Sequence, residues 1–528
     1  MIDSNQTRDL LWSSLDIPWD IIVIGGGITG AGILSEAHRL GYKTLLVEKR
    51  DFASGTSSRS SKLVHGGLRY LRNGQLKLTY ESVRERERLI DDLRGLVKPL
   101  SFVMANYKDD PFPGWVFGLG LGLYDALGLC WRHKHYDSSG ILDICQALKV
   151  DGLTGGYRYI DAITDDARLV YRLIQDAIDT GASAINYAAV PELVYDRSRK
   201  VRGVVLEDNA PPFAGRTKEL HAQVVINATG VWTDILRAQL GLNPRIRKLR
   251  GSHLVFPASR LPLARAISFL HPIDHRPVFA LPWEGVTLFG TTDIDHPGLP
   301  ADEPSASLEE IEYLLIGVQK LFPMLELNQN DIQATYSGLR SVIDTGKADP
   351  CKESREHVIW QENGLVTVTG GKLTTYRLMA CQALSNIKRS IKQPANNYIE
   401  PSNKKSYTET TILLSSLEPH VRRRIVSRYG NNSAKVVQCA SSNDLSCITG
   451  TQTLWAELRW AARAEQVYHL DDILFRRTRL GLLLKQGGKQ MMGEFRSIIQ
   501  PELGWDNNRW EEESRSYFHL WETCYHCL

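Results

Sequence analysis

Three glycines and one glutamate have the spacing needed to bind a dinucleotide. Gly25, Gly27 and Gly30 follow the apolar run 20–24 at the G-x-G-x-x-G spacing, where a helical pattern begins. The first glycine allows a tight turn, the second lets backbone amides approach a pyrophosphate, and the third lets the helix pack close to the strand. Glu48 ends the next apolar run, and an acid at this position in dinucleotide-binding units hydrogen-bonds the ribose hydroxyls. The pattern predicts a bound dinucleotide, and the acid disfavours NADP.

A polar stretch then follows, where a nicotinamide-dependent protein would usually continue into another crossover helix. Residues 54–62 read SGTSSRSSK, and residues 65–70 read HGGLRY. Hydroxyls and small residues in this density suit a segment that lies along an extended cofactor, which favours FAD. The candidate cofactor contacts in this stretch are Thr56, Ser57, Ser58, Ser61, Lys62, His65, Gly66 and Gly67.

Two later turns of small residues also end strands and open helices. The first is 227–232, which contains Gly230, and the second is 370–377, which reads GGKLTTYR. The second turn sets the partial positive charge of a helix N-terminus against an anion, which in a flavoprotein would be the reduced isoalloxazine. The predicted cofactor contacts in these turns are Gly230, Gly370, Gly371, Leu373 and Thr374.

Five basic residues are candidates for a substrate pocket, and all are predicted on turns or strand ends that flank the cofactor. They are Arg69, His253, Arg340, Arg355 and Lys372. Cations that converge on one pocket need an anion, and a phosphate dianion suits the planar Arg fork and the compact Lys charge. His253 is the better base candidate because imidazole titrates near neutrality. The alternatives are that each arginine pairs with a structural carboxylate and that His253 is structural.

These motifs resemble those of the FAD-dependent glycerol-3-phosphate dehydrogenases, within the wider group of D-amino-acid-oxidase-like flavoproteins. The resemblance runs in order from Ile21 to about Arg479. The matching substrate-pocket residues are Arg69 and Tyr70 in HGGLRY, His253 in RGSHLVFP, Arg340 in YSGLRS, Arg355 in ESREH and Lys372 in GGKLTTYR. The resemblance implies that these residues surround sn-glycerol 3-phosphate on the flavin face.

The implied reaction is hydride transfer from C2 of the substrate to flavin N5, which gives dihydroxyacetone phosphate. His253 would take the proton of the C2 hydroxyl, and Arg340 would act on the developing alkoxide. Ser341 stands where the family usually has proline, and the loop 342–352 also differs from the common pattern. The exact substrate therefore stays open.

The resemblance also implies the fold class, which is α/β. A Rossmann-type FAD-binding domain is interleaved with an antiparallel-sheet substrate domain, and a C-terminal all-helical domain follows. The predicted FAD-binding segments are 1–80, 161–245 and 346–395, and the substrate-domain segments are 81–160 and 246–345. A linker is predicted over 396–407 and the helical domain over 408–528. Ser307 and Glu310 form a capping-box pattern at the start of an amphipathic helix.

Composition is typical of an ordinary multidomain globular protein, with 43% hydrophobic and 23% charged residues among 528. The net charge of +3 argues against nucleic acid as a partner. The eight cysteines are scattered, which fits a reducing cytoplasm. Cys524 and Cys527 form a C-x-x-C without a second close pair, and their role stays open. The N-terminal segment lacks the pattern of a secretory signal.

One apolar stretch, 112–131, approaches the length of a membrane span, but Pro113, several glycines and Asp125 interrupt it. Two interpretations remain: a buried loop and helix, or a surface segment that enters the lipid interface. Trp115, Phe117 and Trp131 are of the types found at such interfaces. Because no second dinucleotide motif is present, we expect electrons to pass to a quinone at the inner face of the cell membrane. Oxygen is the competing acceptor, and a homodimer is one candidate assembly.

Two other functions stay open. An amino-acid or 2-hydroxy-acid oxidase of the wider group usually needs one arginine and one tyrosine as a carboxylate clamp, so the surplus cations disfavour it. A non-catalytic, membrane-associated flavin-binding protein is disfavoured by the joint presence of Arg69, His253, Arg340 and Lys372.

Overall fold

The protein is described by a computed structural model that covers residues 4–68, 74–128, 132–297, 303–347, 353, 356–392, 394, 414–415, 417–441 and 443–527. The strands are β1 Trp19–Ile24, β2 Thr44–Val47, β3 Leu63–Val64, β4 Lys98–Tyr107, β5 Lys134–Tyr136, β6 Leu153–Ile163, β7 Ser183–Ile185, β8 Ala188–Tyr195, β9 Val201–Asp208, β10 Thr217–Asn227, β11 Ile246–Pro257, β12 Ala266–Leu270, β13 Pro277–Trp283, β14 Val286–Gly290, β15 Ile294–Asp295, β16 Ala334–Ile343, β17 His357–Glu362 and β18 Leu365–Gly370.

The helices are α1 Ser4–Ser14, α2 Ile28–Arg39, α3 Leu76–Asp92, α4 Gly114–Leu127, α5 Ser138–Ile144, α6 Asp166–Ile178, α7 Thr233–Ala238, α8 Leu308–Leu321, α9 Tyr376–Ile387, α10 Pro419–Tyr429, α11 Ser433–Gln438, α12 Trp455–Ala464, α13 Leu480–Leu483, α14 Met492–Leu503 and α15 Asn507–Cys524. A π-helical turn spans Asp472–Arg477.

The first sheet has a parallel centre, with the strand order β17-β18-β10-β1-β2-β7. β1 pairs in parallel with both β10 and β2, and β8 and β9 extend the sheet from β10. Apolar residues of α2, α6 and α9 form one buried cluster with residues of this sheet. Because the carboxyl ends of parallel strands meet at one edge, the turns after β1, β2 and β10 lie together there.

The second sheet is mostly antiparallel and has the order β15-β11-β14-β13-β12-β4-β6-β3, with β16 paired to β11. In this ladder His253 lies opposite Tyr336, and Leu249 lies opposite Arg340. The expectation that His253 and Arg340 sit on turns or strand ends is therefore wrong. Both residues lie inside long paired strands, because the SGLR run continues as a strand to Ile343.

The predicted capping box is confirmed at the start of α8. The Ser307 hydroxyl accepts a hydrogen bond from the Glu310 N–H at 3.4 Å, and the Glu310 carboxylate accepts one from the Ser307 N–H at 3.1 Å. The pair satisfies two amide groups that a helix N-terminus otherwise leaves without intrahelical partners.

The C-terminal region is helical in its described parts, from α10 to α15. Leu458, Leu474 and Leu482 join a buried cluster with Val255 and Leu288 of the second sheet. This packing and the two sheets confirm the predicted fold class. The residue boundaries of the predicted segments stay a prediction.

The interrupted apolar stretch forms α4, which is preceded by Pro113. The interpretation of this stretch as a buried loop and helix does not describe α4, because Trp115, Leu119 and Leu123 are 64%, 67% and 45% exposed. Trp131 lies outside the described residues. In the described part of the chain, no helix has the length and apolarity needed to cross a membrane.

Candidate active site

The glycine turn after β1 has the close contacts that the sequence pattern requires. Gly25 has a φ of +112°, and a β-carbon there would lie 2.6 Å from the Ala228 carbonyl oxygen. A β-carbon at Gly30 would lie 1.9 Å from the Gly25 carbonyl oxygen. Only glycine allows α2 to begin this close to the strand, and Gly27, Ile28 and Thr29 at its start line the cavity.

Glu48 lies beside this turn at the end of β2. Its carboxylate accepts hydrogen bonds from the N–H groups of Gly26 at 2.6 Å and Arg50 at 2.9 Å. Burial raises the pKa of Glu48, although the two backbone N–H groups oppose that effect. The carboxylate is thus held at the cavity wall, where it can accept further hydrogen bonds from ribose hydroxyls.

The hydroxyl-rich stretch bridges the two sheets. Thr56 Oγ1 donates to the Leu339 carbonyl oxygen of β16, and Ser57 Oγ accepts from the Ile28 N–H at 2.9 Å. Ser61 Oγ lies 2.8 Å from His253 Nε2. Thr56, Ser57 and Ser61 all line the cavity.

Two other residues that were predicted as cofactor contacts, Lys62 and Ser58, form hydrogen bonds within the protein. Lys62 is buried, and its Nζ donates to the Ser58 carbonyl oxygen at 2.6 Å and to both Asp166 oxygens at 2.9 Å. Burial lowers the pKa of Lys62 to about 7, against the opposing charge of Asp166. The structure thus gives the Lys62 side chain an ion pair inside the protein, and its cofactor contact stays a prediction. The Ser58 side chain likewise bonds back to the Gly55 carbonyl oxygen at 3.3 Å.

The HGG segment contacts both the second glycine turn and the neighbouring helices. Thr374 Oγ1 accepts from the His65 N–H at 3.2 Å and donates to the His65 carbonyl oxygen at 3.3 Å. The Gly66 N–H donates to the Tyr124 hydroxyl at 2.9 Å and to Asp161 at 3.2 Å, and the cofactor contact of Gly66 stays a prediction. Gly67 lines a second cavity, described below.

The second glycine turn has a left-handed backbone at Gly370 and Gly371, with φ values of +75° and +74°. A β-carbon at Gly371 would lie 2.5 Å from Met379 Sδ, so the turn packs directly on α9. Gly230 also has a positive φ, of +60°. The turns that contain Gly230, Gly370, Gly371, Leu373 and Thr374 line the same cavity as Gly25, Gly27 and Glu48.

The cavity between these turns has a volume of about 390 Å³. Its described lining contains one carboxylate, Glu48, and the side chains of five lysines and arginines: Lys49, Arg50, Arg59, Arg340 and Lys372. Arg59 forms an ion pair with Glu303. The helix N-terminus suits a pyrophosphate, Glu48 suits a ribose, and the second glycine turn suits a flat ring that carries negative charge. The residues present therefore fit FAD.

Arg340 and Lys372 both lie on the cavity wall. Arg340 donates to Asp293 at 2.8 Å, to the Thr292 carbonyl oxygen at 3.2 Å and to Thr291 Oγ1 at 3.1 Å. Lys372 Nζ donates to Ser82 Oγ at 2.8 Å. Arg340 thus pairs with a carboxylate, as in the alternative in which each arginine has a structural partner, and it also lines the cavity. Arg69, Tyr70 and Arg355 lie outside the described residues.

Sequence reasoning missed Asp293 and Thr291, which hold the Arg340 side chain. The signal was the polar run TTD directly after the β14 strand, at a strand end near the predicted cofactor. Ser341, the departure from the family pattern, also lines the cavity beside Arg340.

His253 lies one layer behind the wall. Its ring is 1% exposed and stacks on Tyr336 with centroids 4.6 Å apart. Burial, together with the charges of Arg340 and Lys62, holds the pKa of His253 well below its usual range. These effects favour the neutral imidazole, and its hydrogen-bonded route to the cavity passes through Ser61.

A second cavity, of about 740 Å³, adjoins the first and shares Ser61, Leu63, His65 and Arg340 with it. Its walls are largely apolar, with Phe102 and Phe279 from the antiparallel sheet. Val116, Leu119 and Leu123 of α4 complete it, so it extends from the Arg340 side chain to the exposed apolar helix.

A parallel dinucleotide-binding sheet that shares a basic cavity with an antiparallel sheet defines an oxidoreductase of the flavoprotein class. Residues 20–377 match the model of the FAD dependent oxidoreductase family, and residues 383–510 match that of the C-terminal domain of alpha-glycerophosphate oxidase. The chain belongs to the FAD-dependent oxidoreductases and, within them, to the family of aerobic glycerol-3-phosphate dehydrogenases.

Individual relatives support this assignment. The aerobic glycerol-3-phosphate dehydrogenase of Staphylococcus haemolyticus is 34% identical over 507 residues, which cover 90% of this chain and 89% of that protein. The Staphylococcus aureus protein of the same name is 32% identical, with 87% and 86% covered. The crystal structure of Bacillus halodurans glycerol-3-phosphate dehydrogenase complexed with FAD has a TM-score of 0.78 at 27% identity and covers 98% of each chain. The predicted family and the predicted FAD cofactor are confirmed.

Proposed function

We propose that the protein oxidises sn-glycerol 3-phosphate to dihydroxyacetone phosphate. FAD, when bound, supplies the acceptor for the C2 hydride at its N5. The observation that carries the proposal is the placement of Arg340 and Lys372 on one cavity with the glycine turns and Glu48. The family relatives named for this substrate agree with a cavity whose described charged side chains are mainly cationic.

The proposed roles follow from the chemistry of each side chain. Lys372 provides a compact positive charge for the substrate phosphate, with Arg69, Tyr70 and Arg355 as further proposed contacts from the family motifs. Arg340 presents its guanidinium to the oxygen on C2, where negative charge develops as the hydride leaves. Asp293 holds that guanidinium in place, and the neutral imidazole of His253 is the proposed proton acceptor.

We also propose that electrons leave to a quinone and that the protein is peripheral at the inner face of the cell membrane. The second cavity supports this, because it is largely apolar and joins the first at Ser61 and Arg340. Its outer wall is α4, whose exposed Trp115 and Leu119 suit a lipid interface. A lipophilic acceptor could thus reach the active site from the membrane surface.

Anaerobic titration of the purified yellow protein tests the substrate. We expect sn-glycerol 3-phosphate to bleach the flavin absorbance, whereas glycerol and a D-amino acid leave it unchanged. Bleaching by the D-amino acid alone would select the amino-acid oxidase alternative. Absence of bleaching with every phosphorylated polyol would favour a non-catalytic flavoprotein.

A second measurement tests the acceptor. With sn-glycerol 3-phosphate as the reductant, we expect a short-chain ubiquinone to be reduced in air with little hydrogen peroxide. Hydrogen peroxide in stoichiometric yield, without any effect of the quinone on the rate, would identify oxygen as the acceptor.

A further inference from the structure

Ser61 is placed between the cavity and the buried imidazole. Its hydroxyl lines both cavities, and its Oγ lies 2.8 Å from His253 Nε2. His253 is 1% exposed and is not among the described residues that line either cavity. Its Nδ1 has no hydrogen-bond partner in the described part of the chain. A proton exchanged between the cavity and this imidazole therefore passes through the Ser61 hydroxyl.

We infer that Ser61 is a catalytic residue that carries the proton from the C2 hydroxyl of the substrate to His253. The inference deepens the proposed function and rests on it. A serine hydroxyl suits this position because it accepts one hydrogen bond while it donates another. The His253 imidazole is buried and does not line either cavity in the described part of the chain, so it cannot bond a cavity ligand directly.

The step balances as follows. The C2–H bond breaks and its hydride goes to the bound flavin, while the C2–O bond becomes a carbonyl. The proton of the C2 hydroxyl moves to Ser61 Oγ, and the proton that Ser61 carried moves to His253 Nε2. The substrate is oxidised by two electrons, the flavin is reduced by two, and His253 holds the released proton.

The surrounding contacts hold Ser61 in this geometry. The N–H and the hydroxyl of Ser60 donate to Asp166 at 2.9 and 2.7 Å, and Lys62 donates to the same carboxylate. The Tyr336 hydroxyl donates to the Ser60 carbonyl oxygen at 3.0 Å while its ring stacks on His253. The residues on both sides of Ser61 are therefore fixed, and Tyr336 joins the segment to the imidazole.

Single-turnover flavin reduction of the FAD-loaded protein tests the relay. Ser61→Ala should slow reduction by about a hundredfold, the scale of general base catalysis, whereas Ser61→Thr keeps the hydroxyl and should retain most of the rate. Ser337→Ala is the matched control. It removes a buried hydroxyl of β16 that bonds Ser252 at 2.7 Å and is absent from the described linings of both cavities, so its rate should equal that of the wild type.

A double-mutant cycle separates a relay from a structural hydrogen bond. If the proton passes from Ser61 to His253, Ser61→Ala combined with His253→Gln should be no slower than the slower single variant. Multiplicative losses, or a native rate in Ser61→Ala, would overturn the relay. If wild-type flavin is not reduced by sn-glycerol 3-phosphate, the proposed function fails and the relay fails with it.

A measurement on the wild-type protein covers the case in which Ser61→Ala does not retain FAD. Two protons move in one step of the relay, so the reduction rate should depend nonlinearly on the deuterium fraction of the solvent. A linear dependence, which indicates one moving proton, would contradict the role of Ser61 even where the variant is unusable.

Discussion

Arg477 of the C-terminal domain forms a two-point ion pair with Asp51, which lies just beyond Glu48 at the carboxyl edge of the first sheet. The two N···O distances are both 2.7 Å, and neither side chain is more than 1% exposed. Arg476 joins the same carboxylate at 2.5 Å. The C-terminal helices are therefore attached to the loop that carries a predicted cofactor contact.

Asp51→Asn should lower the free energy of unfolding by about 1.5–3 kcal/mol, because two buried guanidinium groups each lose a charged hydrogen-bond partner while Arg476 keeps Asp471 and Asp472. Denaturant unfolding measures this. Burial opposes ionisation of Asp51, but Arg477 and Arg476 outweigh it and lower its pKa to about 2 from the usual 3.8. The contribution is thus present above pH 3.8 and is lost as the pH falls through 2.

Asp151→Asn is the control for Asp51→Asn. The Asp151 side chain is 96% exposed and lies 3.7 Å from Lys149, so its loss should change stability by less than about 1 kcal/mol. Equal effects of the two substitutions would show that the ion pairs of Asp51 do not join the domains energetically.

Arg340→Met should weaken binding of sn-glycerol 3-phosphate by about tenfold to a hundredfold, because hydrogen bonds to charged groups contribute about 1.5–3 kcal/mol. Arg340→Lys should lie between this variant and the wild type, since it keeps the charge and loses the planar fork. The dependence of the single-turnover rate of flavin reduction on substrate concentration gives the dissociation constants.

Arg260→Met supplies the comparison for Arg340, because Arg260 bonds Asp331 at 2.5 Å in the exposed turn after β11. Its substrate affinity should match that of the wild type. Should Arg340→Met also bind normally, the pairing of Arg340 with Asp293 is structural and the proposed contact with substrate is incorrect.

Features that depend on residues close together in sequence could be predicted, whereas contacts between distant segments could not. The turn at Gly25 and Gly30 could be predicted because steric contact between a strand and its helix demands glycine at fixed spacing. The buried position of His253 next to Ser61 could not be predicted, because it depends on pairing between β11 and β16, which lie far apart in sequence. The ion pair of Lys62 could not be predicted either, because its partner Asp166 is 104 residues away in sequence.

Replacement of both Trp115 and Leu119 by serine should reduce association with anionic lipid vesicles by about tenfold or more, because each loses apolar surface that would be buried in the interface. Flotation of the vesicles measures the bound fraction. Met324→Ser serves as the control because Met324 is 79% exposed on another element, and it should bind like the wild type. Equal flotation of all three proteins, or none, would exclude α4 as a membrane contact.

Gly30→Ala should abolish retention of FAD, because the added methyl group would lie 1.9 Å from the Gly25 carbonyl oxygen. Either α2 moves away from β1 or the Gly25 turn opens, and both changes displace the amide groups that the pyrophosphate needs. Gly493→Ala, in the helix α14, meets nothing within 4 Å and should keep FAD while raising stability by about 0.5–1 kcal/mol. The flavin-to-protein absorbance ratio after gel filtration distinguishes the two variants. A full complement of FAD in Gly30→Ala would mean that the close approach of helix and strand is not what forms the cofactor site.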